Sequence, residues 1–380
     1  MEQTHFFSSS KRLGVLGGGQ LGKMLLSKCR QWDIHTSVLD PSPVAPARLM
    51  ADTFLTGDLM DYQTVYNFGL QTDVLTIEIE NVNVDALQAL ESKGVKVYPR
   101  PKALSIIQDK IQQKEFYASH NIPTAPFSSW SSKPNWEKIK TPCIWKSSRF
   151  GYDGYGVKKI NNAQDWEEVA QVACVIEDLV EIEKEISVIV ARNPEGEIHT
   201  YEVVEMEFNS KANQVEYVFY PSTLSEEEQK HCQKLAVKVA EALDHVGLLA
   251  VELFLNKKGE ILVNEVAPRP HNSGHLTIEG SFTSQFEQHL RAILNLPLGE
   301  TSFRSPSIMI NLVGDMGHSG PVVYENLETL LSIPNAQPHL YGKLETRPMR
   351  KMGHITITGD NLATLRHQAM SLKNLIRVKT

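Results

Sequence analysis

Apolar spacing along the chain changes period several times and divides it into three stretches. In the first, short apolar runs alternate with helical stripes: Leu13 to Leu16, a helix through Cys29, Ile34 to Leu39, then runs at Val74 to Glu80 and Val95 to Tyr98. Strands alternating with helices predict a small parallel α/β unit over 11–103, after a loose tail at 1–10. One helix is expected from Ala103 to about Asn121, then a Pro/Ser/Trp-rich linker and a strand carrying Ile144-Trp145-Lys146. Further elements are a helix near Ala163 to Ala173, an apolar-acid run at Cys174 to Val180, and a strand that Glu185 lies on or just before. Ser225 and Glu228 form a capping box that opens a helix with the stripe Leu235, Ala236, Val239, Ala240 and Leu243, which Gly247 is expected to end. A helix from about Ser284 to Leu294 closes a middle unit, 104–300, with a smaller piece at about 122–182. The last stretch, 301–380, reads as β-rich.

The most informative segment is Val251 to His275. Apolar Leu253 to Leu255 and Ile261 to Val263 flank the turn Asn256-Lys257-Lys258-Gly259, which predicts a tight hairpin. If Leu255 pairs with Glu260, Glu252 lies opposite Val263. Glu252 and Glu265 are then diagonal neighbours on one face, roughly 7–8 Å apart. A bulge would change that register. Two carboxylates on an apolar ribbon repel each other and resist desolvation, so a cation is expected between them. A hard ion such as magnesium suits a site of few carboxylates completed by phosphate and water, with Asn264 adding a neutral oxygen. Pro268 and Pro270 stiffen Arg269 and His271 in the following loop. The competing reading is an edge hairpin with solvated acids.

Two glycine-rich loops follow strands. Gly17-Gly18-Gly19-Gln20-Leu21-Gly22, with Asp40 about 20 residues on, fits the dinucleotide-binding pattern. The same N–H groups at a helix start hold any phosphate, or the glycines simply make a tight turn. Glu78 and Glu80 share a strand face, and Glu80 stands where a strand end opens toward a ligand crevice. The second loop, Gly151, Tyr152, Asp153, Gly154, Tyr155, Gly156 and Val157, makes a lid able to approach an anion closely, with Lys146 on the strand before it. It lacks the Walker ending. Lys110 faces either a ligand or water.

Composition narrows the partners. A net charge of −7 leaves no broad basic surface for nucleic acid. No apolar run spans a bilayer, and the first ten residues lack the pattern of a secretory signal. Cys29, Cys143, Cys174 and Cys232 are scattered, which fits reduced cytosolic thiols and gives no zinc motif. Anionic ligands therefore need a local cation cluster. Lys343, Arg347, Arg350, Lys351 and His354 supply five candidate groups within twelve residues.

Taken together, Lys146, the loop 151–157, Glu177 to Val180, Glu185, Glu252 and Asn264-Glu265 resemble the ATP-grasp enzymes. Three narrower stretches, the Gly17 to Gly22 loop, Ala267 to His275 and Arg347 to His354, resemble the 5-(carboxyamino)imidazole ribonucleotide synthases of purine biosynthesis. The resemblance runs from about Lys11 to Ile376. It implies an α/β ATP-grasp architecture with an N-terminal pre-ATP-grasp domain, a lid subdomain and a small C-terminal β-rich domain. It also implies ATP- and bicarbonate-dependent carboxylation of 5-aminoimidazole ribonucleotide through carboxyphosphate, with Mg2+ and without NAD, biotin or zinc. A cytoplasmic homodimer is expected, with no nucleic acid and no membrane partner.

By that resemblance, Lys110 and Lys146 touch ATP phosphates, with Asn264, Glu265 and the loop 151–157. Glu177, Asp178, Leu179 and Val180 meet the adenine, Glu185 the ribose, and Glu252 and Glu265 the metal. Gly19, Gln20 and Leu21, with Lys343 and Arg350, hold the substrate's phosphate. Tyr152, Asp153 and Glu80 face its base or ribose. Arg269 and His271 orient bicarbonate or carboxyphosphate, and with Lys146 and Asp153 form the catalytic set. Three positions depart from the family pattern: Lys110 is more often arginine, Tyr155 is usually basic, and Phe208 replaces a histidine near ATP. A formate-dependent glycinamide ribonucleotide transformylase is the nearest rival, and the Ala267 to His275 and Arg347 to His354 segments argue against it. A nicotinamide dehydrogenase built on Gly17 to Gly22 leaves the acidic hairpin unexplained. A silent nucleotide-binding module does not need Lys146, Glu252 and Glu265 intact.

Overall fold

A computed structural model describes residues 7, 10–149, 156–209 and 214–380. Nearly all of the tail lies outside these residues, as do Gly151, Tyr152, Asp153, Gly154 and Tyr155.

The chain begins with β1 (Arg12–Leu16), α1 (Gln20–Gln31), β2 (His35–Asp40), β3 (Thr53–Thr56), α2 (Tyr62–Gly69), β4 (Val74–Ile77), α3 (Val84–Ser92) and β5 (Lys96–Val97). These strands form one parallel sheet in the order β3-β2-β1-β4-β5. Strand β4 stops at Ile77, three residues before the expected end, because Glu78 turns its carboxylate into the glycine loop.

The helix expected from Ala103 to Asn121 is two: α4 (Pro101–Ile107) and α5 (Lys110–Ser119). Asp109 breaks it, since its side chain accepts from the N–H groups of Ile111 and Gln112 and caps a new helix. Next come β6 (Phe127–Trp130), β7 (Cys143–Ser147), β8 (Val157–Ile160), the short α6 (Ala163–Glu167) and β9 (Cys174–Asp178). Their strands form a separate antiparallel sheet, β6-β9-β7-β8.

The middle of the chain supplies β10 (Ile182–Arg192), β11 (Ile198–Thr200), β12 (Val204–Asn209), β13 (Gln214–Tyr220), α7 (Glu226–Ala242), β14 (Gly247–Asn256), β15 (Ile261–Ala267), α8 (Thr277–Gly280) and α9 (Gln285–Ile293). Ser225 and Glu228 make the capping box of α7. Gly247 does not end that helix. The left-handed residue there is Asp244 (φ 45°), and Gly247 (φ 107°) opens β14 against the His289 ring.

The last elements are β16 (Ser307–Val313), β17 (Gly320–Pro321), β18 (Val323–Glu325), α10 (Leu327–Leu331), β19 (Ala336–Leu340), β20 (Glu345–Thr346), β21 (Lys351–Thr358), α11 (Leu362–Leu375) and β22 (Arg377–Lys379). Three of these strands extend the middle sheet, whose order is β15-β14-β10-β12-β13-β16-β21-β19. Helix α7 backs it through Leu235, Ala236, Val239 and Ala240, packed on Ile186, Val188 and Val251. Side chains alternate along a strand, so this leaves Glu185, Ser187 and Glu252 on the opposite face.

Helix α9 joins the N-terminal sheet to the middle one. Its Phe286, Leu290 and Ile293 share a core with Leu13, Leu25 and Val38. His289 accepts from the Leu248 N–H through Nδ1 and meets the Thr76 hydroxyl at 3.0 Å through Nε2. Among the described residues no helix is long and apolar enough to cross a membrane.

Candidate active site

The ribbon β14–β15 carries one irregularity. Leu253 pairs with Val263, but Glu252 pairs with Glu265, leaving Asn264 as the extra residue. Leu255 pairs with Ile261 and not with Glu260, so the turn is one residue longer than expected, and the bulge adds a second one-residue step; together they put the two acids directly across from each other instead of on the expected diagonal. Ser187 of β10 stands beside Glu252, and Glu185 lies two residues along the same face. Glu252 keeps 14% of its side chain exposed, while Glu265 keeps 47% and opens into the cleft.

Lysines face this pair. The Lys110 ammonium, at the start of α5, lies 3.1 Å from Glu265. Lys146, on β7, donates to the Asn264 amide oxygen at 3.1 Å and pairs with Glu177 at 2.9 Å. Lys110 holds the Glu265 carboxyl well below its usual range. Burial, together with the facing Glu265 charge, pushes Glu252 up. Burial also raises Glu185, to about 7. Glu177 is almost sealed from solvent, yet Lys146 and Lys114 outweigh the penalty of its burial and hold it ionised. Its side chain is thus committed to two lysines, and only its backbone is left for a ligand edge. Asp178 is exposed at the end of β9, with Leu179 and Val180 half-buried beside it.

Asp109 pins the segment that leads into the second glycine loop. It accepts from the Ser148 hydroxyl at 2.6 Å and from Arg149 at 3.0 Å, and Ser148 O receives the Lys110 N–H. Burial alone would raise Asp109, but these bonds keep it lowered. Gly156 (φ 74°) and Val157 re-enter the sheet as β8 opposite Lys146. Phe208 lies beside the Met206, Val218 and Leu276 cluster, half-buried.

The loop after β15 is held from several sides. Arg269 pairs with Glu80 at 2.8 Å, so that carboxylate is engaged by the guanidinium and does not point alone into a crevice. His271 lies 3.5 Å from Glu252 through Nε2. Its Nδ1 accepts from the Ser273 N–H and meets the Ser273 hydroxyl, which touches Ser187 at 2.7 Å. The Gln285 amide clamps the His271 backbone at both N–H and C=O. Asn272 and Asn311 exchange two amide bonds at 2.9 Å, tying the loop to β16.

The first glycine loop is filled from within. Glu78 accepts the N–H groups of Gly19 and Gly22 at 3.0 and 3.1 Å, and Asp40 takes that of Gly18 at 2.6 Å. A Cβ at Gly17 (φ 96°) would meet Glu78 Cγ at 2.6 Å. Gly19 therefore does not offer its N–H to an outside phosphate, and Asp40 is not waiting for a ribose. Gln20 and Leu21, the first residues of α1, remain at the helix start.

Of the five groups in the C-terminal cation cluster, His354 does not belong. Its ring is fully buried and stacked 4.5 Å from both His275 and His339, and that burial keeps it neutral. Lys343 donates to the Lys351 carbonyl at 2.7 Å and sits over the Tyr341 ring. Lys23 of α1 reaches the Leu340 carbonyl, bringing this segment beside the first glycine loop. Arg350 donates to the Glu345 carbonyl at 2.7 Å.

Three site residues escape a reading of the sequence: Lys114, Ser273 and Gln285. Lys114 has a legible signal, since it follows Lys110 by four positions and shares its helical face. Ser273 lies within the Ala267 to His275 stretch, though nothing there gives its contact with the His271 ring, and Gln285 has no signal, because its partner is the His271 backbone far back along the chain.

An acidic β-ribbon facing lysines from a helix and a separate small sheet defines an ATP-grasp fold. Residues 115–286 match the ATP-grasp domain, 10–108 the ribonucleotide synthetase preATP-grasp domain, and 307–368 the phosphoribosylaminoimidazole carboxylase C-terminal domain. The N5-carboxyaminoimidazole ribonucleotide synthase of Bacillus subtilis is 37% identical over 90% of both chains. The chloroplastic phosphoribosylaminoimidazole carboxylase of Vigna aconitifolia is 38% identical over 93% of this chain, which spans 65% of that longer protein. The crystal structure of the Thermotoga maritima synthetase matches with a TM-score of 0.90 and 40% identity, covering 97% of this chain and 99% of that one. The Aspergillus clavatus synthase, solved with ADP and 5-aminoimidazole ribonucleotide, matches at 0.87 and 33% identity over 96% and 98%. The chain belongs to the N5-carboxyaminoimidazole ribonucleotide synthase family.

Proposed function

We propose that the protein carboxylates the exocyclic amine of 5-aminoimidazole ribonucleotide, using ATP and bicarbonate and releasing ADP and phosphate. The observation that carries this reading is Glu252 directly facing Glu265 beside Lys110 and Lys146.

The donors fit a magnesium ion: two opposed carboxylates with one amide oxygen beside them. Among the described residues no group of three His, Cys, Asp or Glu side chains gathers as a complete metal cage. Magnesium takes one or two carboxylates and fills its remaining positions with phosphate and water. When bound, the ion offsets charge on the phosphoryl oxygens.

Lys110 and Lys146 hold the triphosphate from the opposite side, Glu185 accepts from the ribose, and the backbone of Glu177 to Val180 meets the adenine. Phe208 offers a stacking face there. The loop 151–157 is assigned to the same nucleotide, with Tyr152 and Asp153 toward the substrate. A bicarbonate oxygen attacks the γ-phosphorus and the bond to the β-γ bridging oxygen breaks, leaving ADP and carboxyphosphate. Arg269, oriented by Glu80, and His271, oriented by Ser273, steady that anion. Carboxyphosphate then splits to phosphate and CO2. The substrate nitrogen attacks the carbon, losing a proton, within a cleft that excludes water. Gln20 and Leu21 at the start of α1, with Lys343 and Arg350, hold the substrate's phosphate.

The reading carries with it a cytoplasmic homodimer; all four thiols are free and buried. Phosphate release by purified protein with Mg-ATP and bicarbonate, with and without 5-aminoimidazole ribonucleotide, tests the function. Release that the ribonucleotide does not stimulate excludes it.

A further inference from the structure

Lys114 lies on α5 one turn beyond Lys110, with 2% of its surface exposed. Its ammonium pairs with Glu177 Oε1 at 2.8 Å, while Lys146 takes Oε2 of the same carboxylate at 2.9 Å. It also donates to the Thr124 hydroxyl at 2.5 Å, which donates in turn to the Val263 carbonyl at 2.7 Å. Val263 is the residue before Asn264, and Asn264 accepts from Lys146. A closed ring of contacts thus runs from Lys114 through Thr124, the bulge of β15, Lys146 and Glu177, and back.

The charges in this ring settle what Lys114 does. A lone buried carboxylate beside Lys146 would take both its oxygens to that ammonium, and the resulting neutral pair would have little attraction for a phosphate. With a second ammonium on Oε1, Glu177 is shared between two cations, and the trio carries one net positive charge. We propose that Lys114 is a positioning residue that keeps Lys146 available to the nucleotide phosphates by sharing the charge of Glu177. This rests on the nucleotide-binding reading given above. Burial, and repulsion from Lys146 and Lys110, bring the Lys114 pKa down to about 8, so the ammonium still predominates at neutral pH.

The test is ADP affinity by isothermal titration calorimetry on the full chain. Lys114→Met is expected to weaken ADP binding at least tenfold, and Lys114→Gln, which keeps a donor without the charge, to weaken it similarly. The double variant Lys114→Met/Glu177→Gln, in which no carboxylate is left to quench Lys146, is expected to regain at least fivefold over Lys114→Met. A role in packing alone predicts no such recovery. Single variants within twofold of the parent, or a double variant no tighter than Lys114→Met, overturn the proposal. Should Lys114→Met not fold, Lys114→Gln and its double with Glu177→Gln decide it by the same margins. A parent protein that does not bind ADP at all sinks the nucleotide reading itself, which is a distinct result.

Discussion

Glu252 and Glu265 face each other across two antiparallel strands because one residue, Asn264, is left over in the return strand. Carboxylates so placed are stable together only with positive charge nearby, and Lys110 supplies part of it. Glu265→Ala is therefore expected to lower turnover by about three orders of magnitude, the scale of losing a preorganised electrostatic contact. The fold should survive, since the change also relieves repulsion on Glu252. Steady-state phosphate release with a thermal melt checks both; unchanged turnover would falsify the metal assignment.

Glu185 gives a pH signature to nucleotide binding. Burial raises it to about 7, so the carboxylate a ribose needs is present above that pH and lost below it. ADP affinity should fall by up to about tenfold between pH 8 and pH 6. In Glu185→Gln that component should vanish. A variant with the same slope as the parent assigns the effect elsewhere.

Lys343→Ala is expected to raise the Michaelis constant for the ribonucleotide about tenfold, with a smaller effect on maximal turnover. Lys343 sits beside the segment that Lys23 ties to the first glycine loop. An effect confined to ATP would move this cluster to the nucleotide side.

Buried histidines make the fold acid-sensitive. Burial, with repulsion from His245, lowers His289 to about 3, so its ring stays neutral while the unfolded imidazole gains a proton below about pH 6.5. A base with a depressed folded pKa contributes stability that is complete above its unfolded value and is lost as pH falls toward its folded one. Between pH 7.5 and 5.5 this costs about 1.4 kcal/mol for the one group. Glu185 and Glu252, both raised, act in the opposite sense over part of that range. The clean measurement is a difference: urea unfolding of His289→Gln should lose about 1 kcal/mol less than the parent over the same interval. Equal losses would remove His289 from the account.

The α/β fold and the acidic ribbon were legible because alternation and turn chemistry act locally. The bulge was not, since an extra residue leaves the residue types on both strands unchanged. Lys114 shares the helical face of Lys110, but its burial and its pairing with Glu177 come only from the Glu177 strand packed over that helix. His354 counts as basic in composition but is neutral in its stack, because burial outweighs the intrinsic basicity of imidazole. Glu78 reads in the sequence as one of two acids on a strand, and that strand in fact ends before it.

That last acid bears on how such chains are sorted. The segment Gly17 to Gly22 carries the outline of a cradle for a pyrophosphate, yet a carboxylate of the same molecule already sits in it, and a second one caps its rim. Converting this protein toward a two-nucleotide redox carrier would begin with taking acids out, not with adding glycines. A glycine pattern alone records the shape of a lock; whether the keyhole is stoppered is written some sixty residues downstream.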